Sequence, residues 1–185
     1  MIVTDKYVFF IKGILSQWYK STFSNNSFVM ADSYDETNKT INAIINPFGI
    51  NQTYTSCEQY MMYIKALLFN DIITADRIIN EHDCRKVKEL GREVKNFKQD
   101  VWDKYKYSIV YQGNLLKFSQ NEKLKKELFE VGYPDKTFVE CNKYDSIWGI
   151  GMSIDDPNIV DESKWKGENL LGKALTEVRR YLLKN

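Results

Sequence analysis

Residues 56–66 read SCEQYMMYIKA, an apolar and aromatic run that carries one acid, Glu58, and one base, Lys65. The run predicts a helix, with Ser56 as its N-cap and Gln59 three positions later completing a capping box. At about 100° per residue, the spacing of Glu58 and Lys65 returns to within roughly 20° of the same direction, two turns further along the axis. Both side chains are therefore predicted to reach into one cleft. The alternative is a solvated charge pair at the edge of an ordinary buried helix.

Apolar periodicity and turn residues divide the rest of the chain into short elements. Strands are predicted at 8–10, 40–45 and 137–141, and polar turns at 34–39 and 46–49. Helices are predicted at 71–80, 84–90, 99–118, 121–131 and 168–183, with Gly91 and the Gly132-Tyr133-Pro134 turn ending two of them. The expected fold is α+β: a predominantly helical single domain, residues 1–185, with a small antiparallel sheet near its N-terminal side.

The charge balance argues against a general affinity for polyanions. The 185 residues carry 26 Lys and Arg against 25 Asp and Glu, with 43% hydrophobic and 14% aromatic residues. This composition suits one globular domain with a sizeable core, and it disfavours a protein that coats DNA by charge alone. No apolar run reaches the about 18 residues that cross a bilayer, so we expect a soluble, cytoplasmic protein without a membrane partner.

Cysteine and histidine are too scarce for a disulfide framework or a usual transition-metal site. Cys57, Cys84 and Cys141 are odd in number and widely spaced, so all three are predicted to be free thiols. There is no Cys-x-x-Cys motif, and the only histidine, His82, lies in a charged turn and is predicted to be exposed. We therefore expect a protein without a metal. The sequence also lacks a Gly-x-Gly-x-x-Gly motif after a strand and a Gly-x-x-x-x-Gly-Lys-Ser/Thr loop, so no cofactor is expected.

Two blocks in the second half of the chain group residues that a purely structural sequence has little reason to combine. They read FVECNKYDSIWGIG at 138–151 and WKGENLLG at 165–172. Together with residues 56–66 they resemble the NADAR family, also called YbiA-like. The resemblance runs from Phe9 to Arg179 and includes GILS at 13–16, LGR at 90–92 and KFSQN at 117–121.

The resemblance implies hydrolysis of N-glycosidic bonds. Some members of the family resemble ADP-ribosyl-guanine hydrolases, and others act on a ribosylamino-pyrimidine phosphate of riboflavin synthesis. For this chain, it implies removal of ADP-ribose from guanine in DNA or in a nucleotide, a form of DNA repair, or cleavage of a related phosphoribosyl-amine. It also implies, as for some relatives, an ADP-ribosyltransferase toxin as counterpart.

Cleavage of a ribosyl C1–N bond passes through an oxocarbenium-like state that carboxylates can stabilise. The sequence offers Glu58, Glu140 and Asp145 for this task. The resemblance favours Glu58 and Asp145 as site residues, with Glu140 nearby, and we predict that Glu58, Lys65 and Asp145 carry the chemistry. A desolvated Lys65 would attack the ribose C1 and hold the open sugar as a Schiff base, whereas a charged Lys65 would pair with a carboxylate or a ligand phosphate. Asp145 has a competing assignment as a turn-capping residue.

The remaining matched positions are predicted to bind substrate. Trp148 offers a flat face for a base, Gly149 lets the backbone approach a ligand, and Arg92 can hold a phosphate with two hydrogen bonds. Trp148 would otherwise be a buried core residue, and Asn169 a helix cap. The predicted substrate-binding set is Gly13, Ser16, Arg92, Lys117, Asn121, Glu140, Trp148, Gly149 and Asn169.

One departure from the family pattern concerns the substrate. An Asn and a Phe usually follow the Ser of the early motif, whereas Gln17 and Trp18 follow Ser16 here. A longer amide and a larger ring would reshape one wall of the pocket. The identity of the substrate therefore does not follow from the family pattern alone.

Two functions from other classes remain open. The first is a non-catalytic sensor that keeps the pocket and binds NAD or ADP-ribose without cleaving it. The second is a helical interaction domain whose aromatic residues all serve the core. The second predicts that Glu58→Gln and Asp145→Asn leave every ligand-dependent property unchanged.

Overall fold

The computed structural model describes residues 1–25 and 52–185. The chain divides into two compact units, a terminal unit formed by residues 1–19 and 121–185 and a central unit formed by residues 20–120. The predicted strand at 40–45 and the predicted turns at 34–39 and 46–49 lie outside the described residues. That residues 1–185 form one domain stays a prediction.

Strands and helices are largely segregated along the described chain, as expected for an α+β fold. The strands are β1 (Ile2–Val3), β2 (Tyr7–Phe10), β3 (Phe23–Ser24), β4 (Thr53–Tyr54) and β5 (Thr137–Glu140). The helices are α1 (Cys57–Leu68), α2 (Ile72–Ile79), α3 (Cys84–Arg92), α4 (Gln99–Ser119), α5 (Glu122–Val131) and α6 (Leu170–Lys184), with a 3₁₀ turn at Glu162–Lys164. Each helix predicted from periodicity is confirmed within a few residues. Gly91 lies one position inside the end of α3 rather than at it.

Helix α1 is the core of the central unit and packs against α2, α3 and α4. It is buried on nearly every side, which explains why its sequence is apolar and aromatic with little amphipathic contrast. Two glycines allow the neighbouring helices to come close. A Cβ at Gly91 of α3 would overlap the Met62 side chain, and a Cβ at Gly113 of α4 would lie 2.7 Å from the Tyr60 ring.

The terminal unit contains a three-stranded sheet with the strand order β1-β2-β5. β1 pairs with β2 in the antiparallel sense, as predicted, and so do β3 and β4 of the central unit. β2 and β5, however, run parallel, with Tyr7 opposite Thr137 and Phe10 opposite Glu140. The predicted antiparallel pairing is therefore confirmed for β1–β2 and β3–β4, whereas the parallel pair β2–β5 was not predicted. Both strands are almost entirely buried, which is typical of parallel pairs covered on both faces.

Helix α6 covers β5 at close range. Gly172 permits this approach, since a Cβ there would overlap the carbonyl oxygen of Phe138. The buried guanidinium of Arg179 donates to the carbonyl of Gly132 and pairs with Asp135, which ties α6 to the connection between α5 and β5. None of the helices described at 1–25 and 52–185 has the length and apolar character needed to cross a membrane.

Candidate active site

The N-terminal turn of α1 places Glu58 in a buried position. Ser56 is the N-cap, as predicted, because its Oγ accepts a hydrogen bond from the backbone N–H of Gln59 at 3.1 Å. The predicted capping box is wrong in one detail. The Gln59 side chain accepts from the N–H and hydroxyl of Thr55 and donates to the carbonyls of Ile78, Ile79 and Glu81, so it joins α1 to the end of α2.

Glu58 is only 3% exposed, although carboxylates are seldom buried to this extent. Its neighbours include two thiols. Burial raises the pKa of Cys57 to about 11, and the nearby Glu58 carboxylate contributes to that shift. Burial also raises the pKa of Cys84, again with a contribution from Glu58. Both cysteines are therefore protonated and unreactive at neutral pH.

Lys117 lies beside the same turn of α1. The Cys57 thiol donates to the carbonyl of Gly113 at 3.5 Å, and Lys117 follows Gly113 by one turn of α4. The Lys117 side chain has no exposed surface, and burial lowers the pKa of its amine, an effect that Cys57 opposes. The first turn of α1 thus brings a buried carboxylate and a buried amine into one region of the central unit.

Lys65 has a different environment from Glu58, although both lie on α1. Its Nζ donates to the carbonyl of Gly91 at 2.7 Å, near the end of α3. The ammonium also lies 4.4 Å from the ring centroid of Phe97 and 5.6 Å from that of Trp102. Burial lowers the pKa of Lys65. The side chain is thus held by a backbone carbonyl and two aromatic rings.

Arg92 is the residue next to the carbonyl that binds Lys65. It is exposed at the last position of α3, where a cation is favoured by the helix dipole. The structure therefore brings Arg92 close to Lys65, and it places Lys117 close to Cys57 in the first turn of α1.

In the terminal unit, the parallel pairing of β2 and β5 gathers predicted site residues at one edge. The carboxyl ends of parallel strands lie at the same edge of a sheet, where ligands commonly bind in α/β folds. The loop after β2 contains Gly13 and Ser16, and Glu140 is the last residue of β5. The two loops also join directly, because the N–H of Cys141 donates to the carbonyl of Phe10 at 2.7 Å.

Asp145 organises the loop that follows β5. Its Oδ1 accepts hydrogen bonds from the N–H of Ile147 at 3.0 Å and of Trp148 at 2.8 Å. This is the turn-capping arrangement that competes with a catalytic role for this residue. Trp148 itself is half-buried, so it is not a residue of the fully buried core.

Glycines allow three stretches of backbone to meet in this loop. A Cβ at Gly149 would lie 2.9 Å from the carbonyl oxygen of Glu140, and a Cβ at Gly167 would overlap the carbonyl oxygen of Gly149. Gly151 adopts a φ of +64°, a conformation that few other residues tolerate. These glycines are therefore required for packing, whatever else they do.

Asn169 connects this loop to β5 and to α6. Its Oδ1 accepts from the N–H of Glu140 at 3.0 Å, and its Nδ2 donates to the carbonyl of Phe138 at 3.0 Å. It makes no side-chain hydrogen bond to the first turn of α6, so the capping role is wrong. Its amide instead forms the two backbone hydrogen bonds that a neighbouring strand would make along the edge of β5. Asn121, the remaining predicted residue of the terminal unit, immediately precedes α5 and also makes no side-chain cap.

A model of the NADAR domain family matches residues 9–183. The chain belongs to the NADAR domain family. It is 41% identical over 184 residues to N-glycosidase R617 of Acanthamoeba polyphaga mimivirus, with 95% of this chain and 96% of the relative covered. It is also 39% identical over 131 residues to Protein irg-1 of Caenorhabditis elegans, with 70% of this chain and 61% of the relative covered.

The fold of this NADAR protein is similar to the NMR structure of the E. coli protein YbiA. The TM-score is 0.66 at 20% identity, and the match covers 99% of this chain and 88% of YbiA. This likeness confirms the α+β fold, and the family match confirms the resemblance carried by the three sequence blocks.

Free thiols and an exposed histidine agree with the sequence expectations for this NADAR protein. Cys57, Cys84 and Cys141 are all free, and His82 is exposed. Across residues 1–25 and 52–185, His, Cys, Asp and Glu form no group of three or more that could hold a metal ion.

Gln17 was not predicted to bind substrate, yet it occupies a buried position in the loop after β2. It is 8% exposed, whereas the adjacent Trp18 is 43% exposed. The departure from the family motif was the only sequence signal at this position, and it did not indicate burial.

Proposed function

We propose that this NADAR protein is an N-glycosidase that hydrolyses the ribosyl C1–N bond of an ADP-ribosylated base, with guanine as the leaving base. One observation carries the proposal: a relative that is 41% identical over 95% of this chain bears the name N-glycosidase. In this reaction, water supplies the oxygen that bonds to C1, and the base leaves with the electron pair of the broken bond and a proton. The products are free ADP-ribose and the unmodified guanine nucleotide or DNA.

Glu58 is assigned the stabilisation of positive charge on the ribose. An oxocarbenium-like centre is favoured by a nearby anion, and this effect is stronger where water is excluded. The 3% exposure of Glu58 supplies such an environment in the first turn of α1. The dipole of α1 favours a negative charge at this position, and burial opposes it.

Lys65 is assigned the role of amine nucleophile. The neutral amine attacks C1 as the base leaves, the sugar ring opens to a Schiff base on Nζ, and water then hydrolyses this intermediate to restore the amine. Burial supports the assignment because it lowers the pKa of Lys65 and so raises the neutral fraction. The carbonyl of Gly91, 2.7 Å from Nζ, would orient the amine.

Asp145 and the loop after β5 are assigned to substrate binding and catalysis in the terminal unit. Asp145 uses Oδ1 to hold the N–H groups of Ile147 and Trp148, so this turn orders the carboxylate and the backbone of Trp148, whose indole is half-buried. An indole face suits stacking on a base. Gly13, Ser16, Asn121 and Glu140 of this unit, and Arg92 and Lys117 of the central unit, are assigned to ribose and phosphate contacts.

The direct test is incubation of the purified protein with ADP-ribosylated guanosine nucleotide, with ADP-ribosylated DNA and with a ribosylamino-pyrimidine phosphate. We expect release of free ADP-ribose from at least one guanine substrate. Glu58→Gln should abolish the release, whereas Glu89→Gln, which removes an exposed carboxylate on α3, should not change it. Tight binding of ADP-ribose in calorimetry without turnover of any substrate would instead identify a sensor.

A second experiment separates the two routes open to Lys65. Sodium cyanoborohydride added during turnover should reduce the Schiff base and leave a stable sugar adduct, which mass spectrometry of peptides would locate at Lys65. Lys104→Met, which removes an exposed amine on α4, should keep both turnover and the adduct. Turnover without any trapped adduct would rule out the covalent route and leave Lys65 as a charged contact.

A further inference from the structure

Gln17 carries a buried side-chain amide for which the described fold provides no partner. The residue is 92% buried, since its exposure is 8%. Neither Oε1 nor Nε2 has a hydrogen-bond partner among residues 1–25 and 52–185. Buried polar groups are nearly always hydrogen-bonded in folded proteins, and leaving one without a partner destabilises the fold. A Leu or Met side chain would fill the same space without this cost.

Other glutamines in the chain show how the fold satisfies an amide where it needs one. Gln59 uses both ends of its amide, accepting from Thr55 and donating to carbonyls at the end of α2. Gln120 accepts from the N–H of Ser24 at 2.9 Å and donates to its carbonyl at 2.6 Å. Gln17 differs from both, so its amide is not retained for the stability of the described structure.

Hydrogen bonds on both sides of Gln17 order the backbone of the loop after β2. The carbonyl of Gly13 accepts from the N–H of Ser16 at 3.0 Å, and the Ser16 hydroxyl accepts from the N–H of Trp18 at 3.2 Å. The loop leaves the sheet at the edge where β2 and β5 both end. Gln17 lies seven residues beyond the end of β2, in the loop that leaves the sheet at the edge where Glu140 ends β5.

We propose that Gln17 binds the edge of a nucleobase, with Oε1 accepting from a base amino or imino group and Nε2 donating to the neighbouring acceptor. The proposal rests on the N-glycosidase function, because the proposed substrates contain a base. A primary amide presents a donor and an acceptor side by side, and glutamine pairs in this way with the N6 and N7 atoms of adenine. A phosphate offers only acceptors and would leave Oε1 without a partner. A base edge satisfies both atoms.

The first test measures thermal stability and does not depend on any ligand. Gln17→Leu should not lower Tm. Because both amide atoms lack partners in the described fold, we expect the substitution to raise Tm by about 3 °C or more. Gln120→Leu makes the same change where the amide is fully bonded, so it should lower Tm. A second apolar variant, Gln17→Met, guards against a shape effect of Leu. A loss of stability in both Gln17 variants comparable to that of Gln120→Leu would overturn the proposal.

The second test measures binding by calorimetry with three probes: AMP, GMP and ribose 5-phosphate. We expect the wild type to bind at least one nucleotide about tenfold or more tightly than ribose 5-phosphate, which has no base. Gln17→Leu should lose most of this preference while its affinity for ribose 5-phosphate stays the same. An unchanged preference in the variant, or no preference in the wild type, would contradict base recognition by Gln17.

These outcomes separate the inference from the proposed function. If the nucleotide preference depends on Gln17 but no ADP-ribosylated substrate is cleaved, the inference stands and the N-glycosidase assignment fails. If guanine substrates are cleaved and Gln17→Leu keeps both the nucleotide preference and the wild-type kcat/KM, the assignment stands and the inference fails.

Discussion

Helix α1 and the loop after β5 both carry a predicted catalytic carboxylate, but they hold it in different ways. In α1, Glu58 is buried at the start of a helix that packs against α2, α3 and α4. In the loop, Asp145 is held by its own turn, with Oδ1 bonded to the N–H groups of Ile147 and Trp148. The comparison suggests that α1 supplies a low-dielectric environment, whereas the loop supplies a fixed backbone.

The two regions also differ in what they demand of glycine. Gly91 and Gly113 make room for side chains of α1, which can shift to some extent. Gly149 and Gly167 make room for backbone carbonyls, which cannot shift without moving the loop. The loop should therefore tolerate substitution less well than the surroundings of α1.

The largest effect is expected for Glu58→Gln. The substitution keeps the shape of the side chain and removes its charge, so kcat/KM should fall by about a thousandfold if the carboxylate stabilises the transition state. Tm should change little. Activity within a few-fold of wild type would mean that the burial of Glu58 serves the fold and not the reaction.

The next largest effect on activity is expected for Lys65→Met, which should reduce kcat/KM by about a hundredfold or more. The Met side chain keeps the apolar contacts with Phe97 and Trp102 but loses the donor to Gly91. Burial lowers the pKa of Lys65, so kcat/KM of the wild type should rise with pH through this lowered pKa, below the ordinary pKa of a lysine. The nucleophile role would be contradicted if the wild-type profile had no rising limb, or if Lys65→Arg kept the rising limb.

Asp145→Asn tests whether the loop contributes charge or only structure. Asn keeps an oxygen that can accept from Ile147 and Trp148, so the turn should survive, and kcat/KM should fall by roughly tenfold to a hundredfold through loss of charge. Asp145→Ala loses both the charge and the turn. Equal activity of Asp145→Asn and wild type, with a large loss in Asp145→Ala, would assign Asp145 to positioning alone.

Gly167→Ala should destabilise the protein by about 2 kcal/mol or more, because its methyl group would overlap the carbonyl of Gly149 and the backbone of Ser146. Chemical denaturation measures the change. Gly13→Ala is the matched control, since nothing lies within 4 Å of the added Cβ and only the φ of +90° opposes it. A smaller loss at Gly167 than at Gly13 would mean that the loop can relax.

The smallest effect is expected for Asn169→Gly, at about 1–2 kcal/mol of the free energy of unfolding. Glycine tolerates the φ of +54° at this position, so the loss reports the two hydrogen bonds to Glu140 and Phe138. Asn169→Ala should cost more, because it adds backbone strain. Equal values for the two variants would show that the backbone conformation contributes nothing.

Local pattern was sufficient for the helices. Hydrophobic spacing, the Ser56 cap and the Gly132 turn predicted α1 to α6 within a few residues, because helix formation depends on contacts three and four positions apart. Motif order was likewise sufficient for the NADAR family. The candidate residues Glu58, Lys65 and Asp145 followed from that order, since each lies inside a recognisable block.

The parallel pairing of β2 and β5 was not predicted, because it joins strands about 130 residues apart in the chain. Sequence also left open whether Asn169 caps α6, and only the register of β5 assigned its amide to the strand edge. The same holds for Gln17, whose residue type was visible but whose burial was not.

The sequence by itself therefore determined the helices, the family and the chemical types of the candidate groups, because these depend on neighbours along the chain. The tertiary structure decided which polar groups are buried, which are used by the backbone and which have no partner in the described fold. Those properties depend on the packing of distant segments, and hydrogen-bond partners can be assigned only once that packing is known.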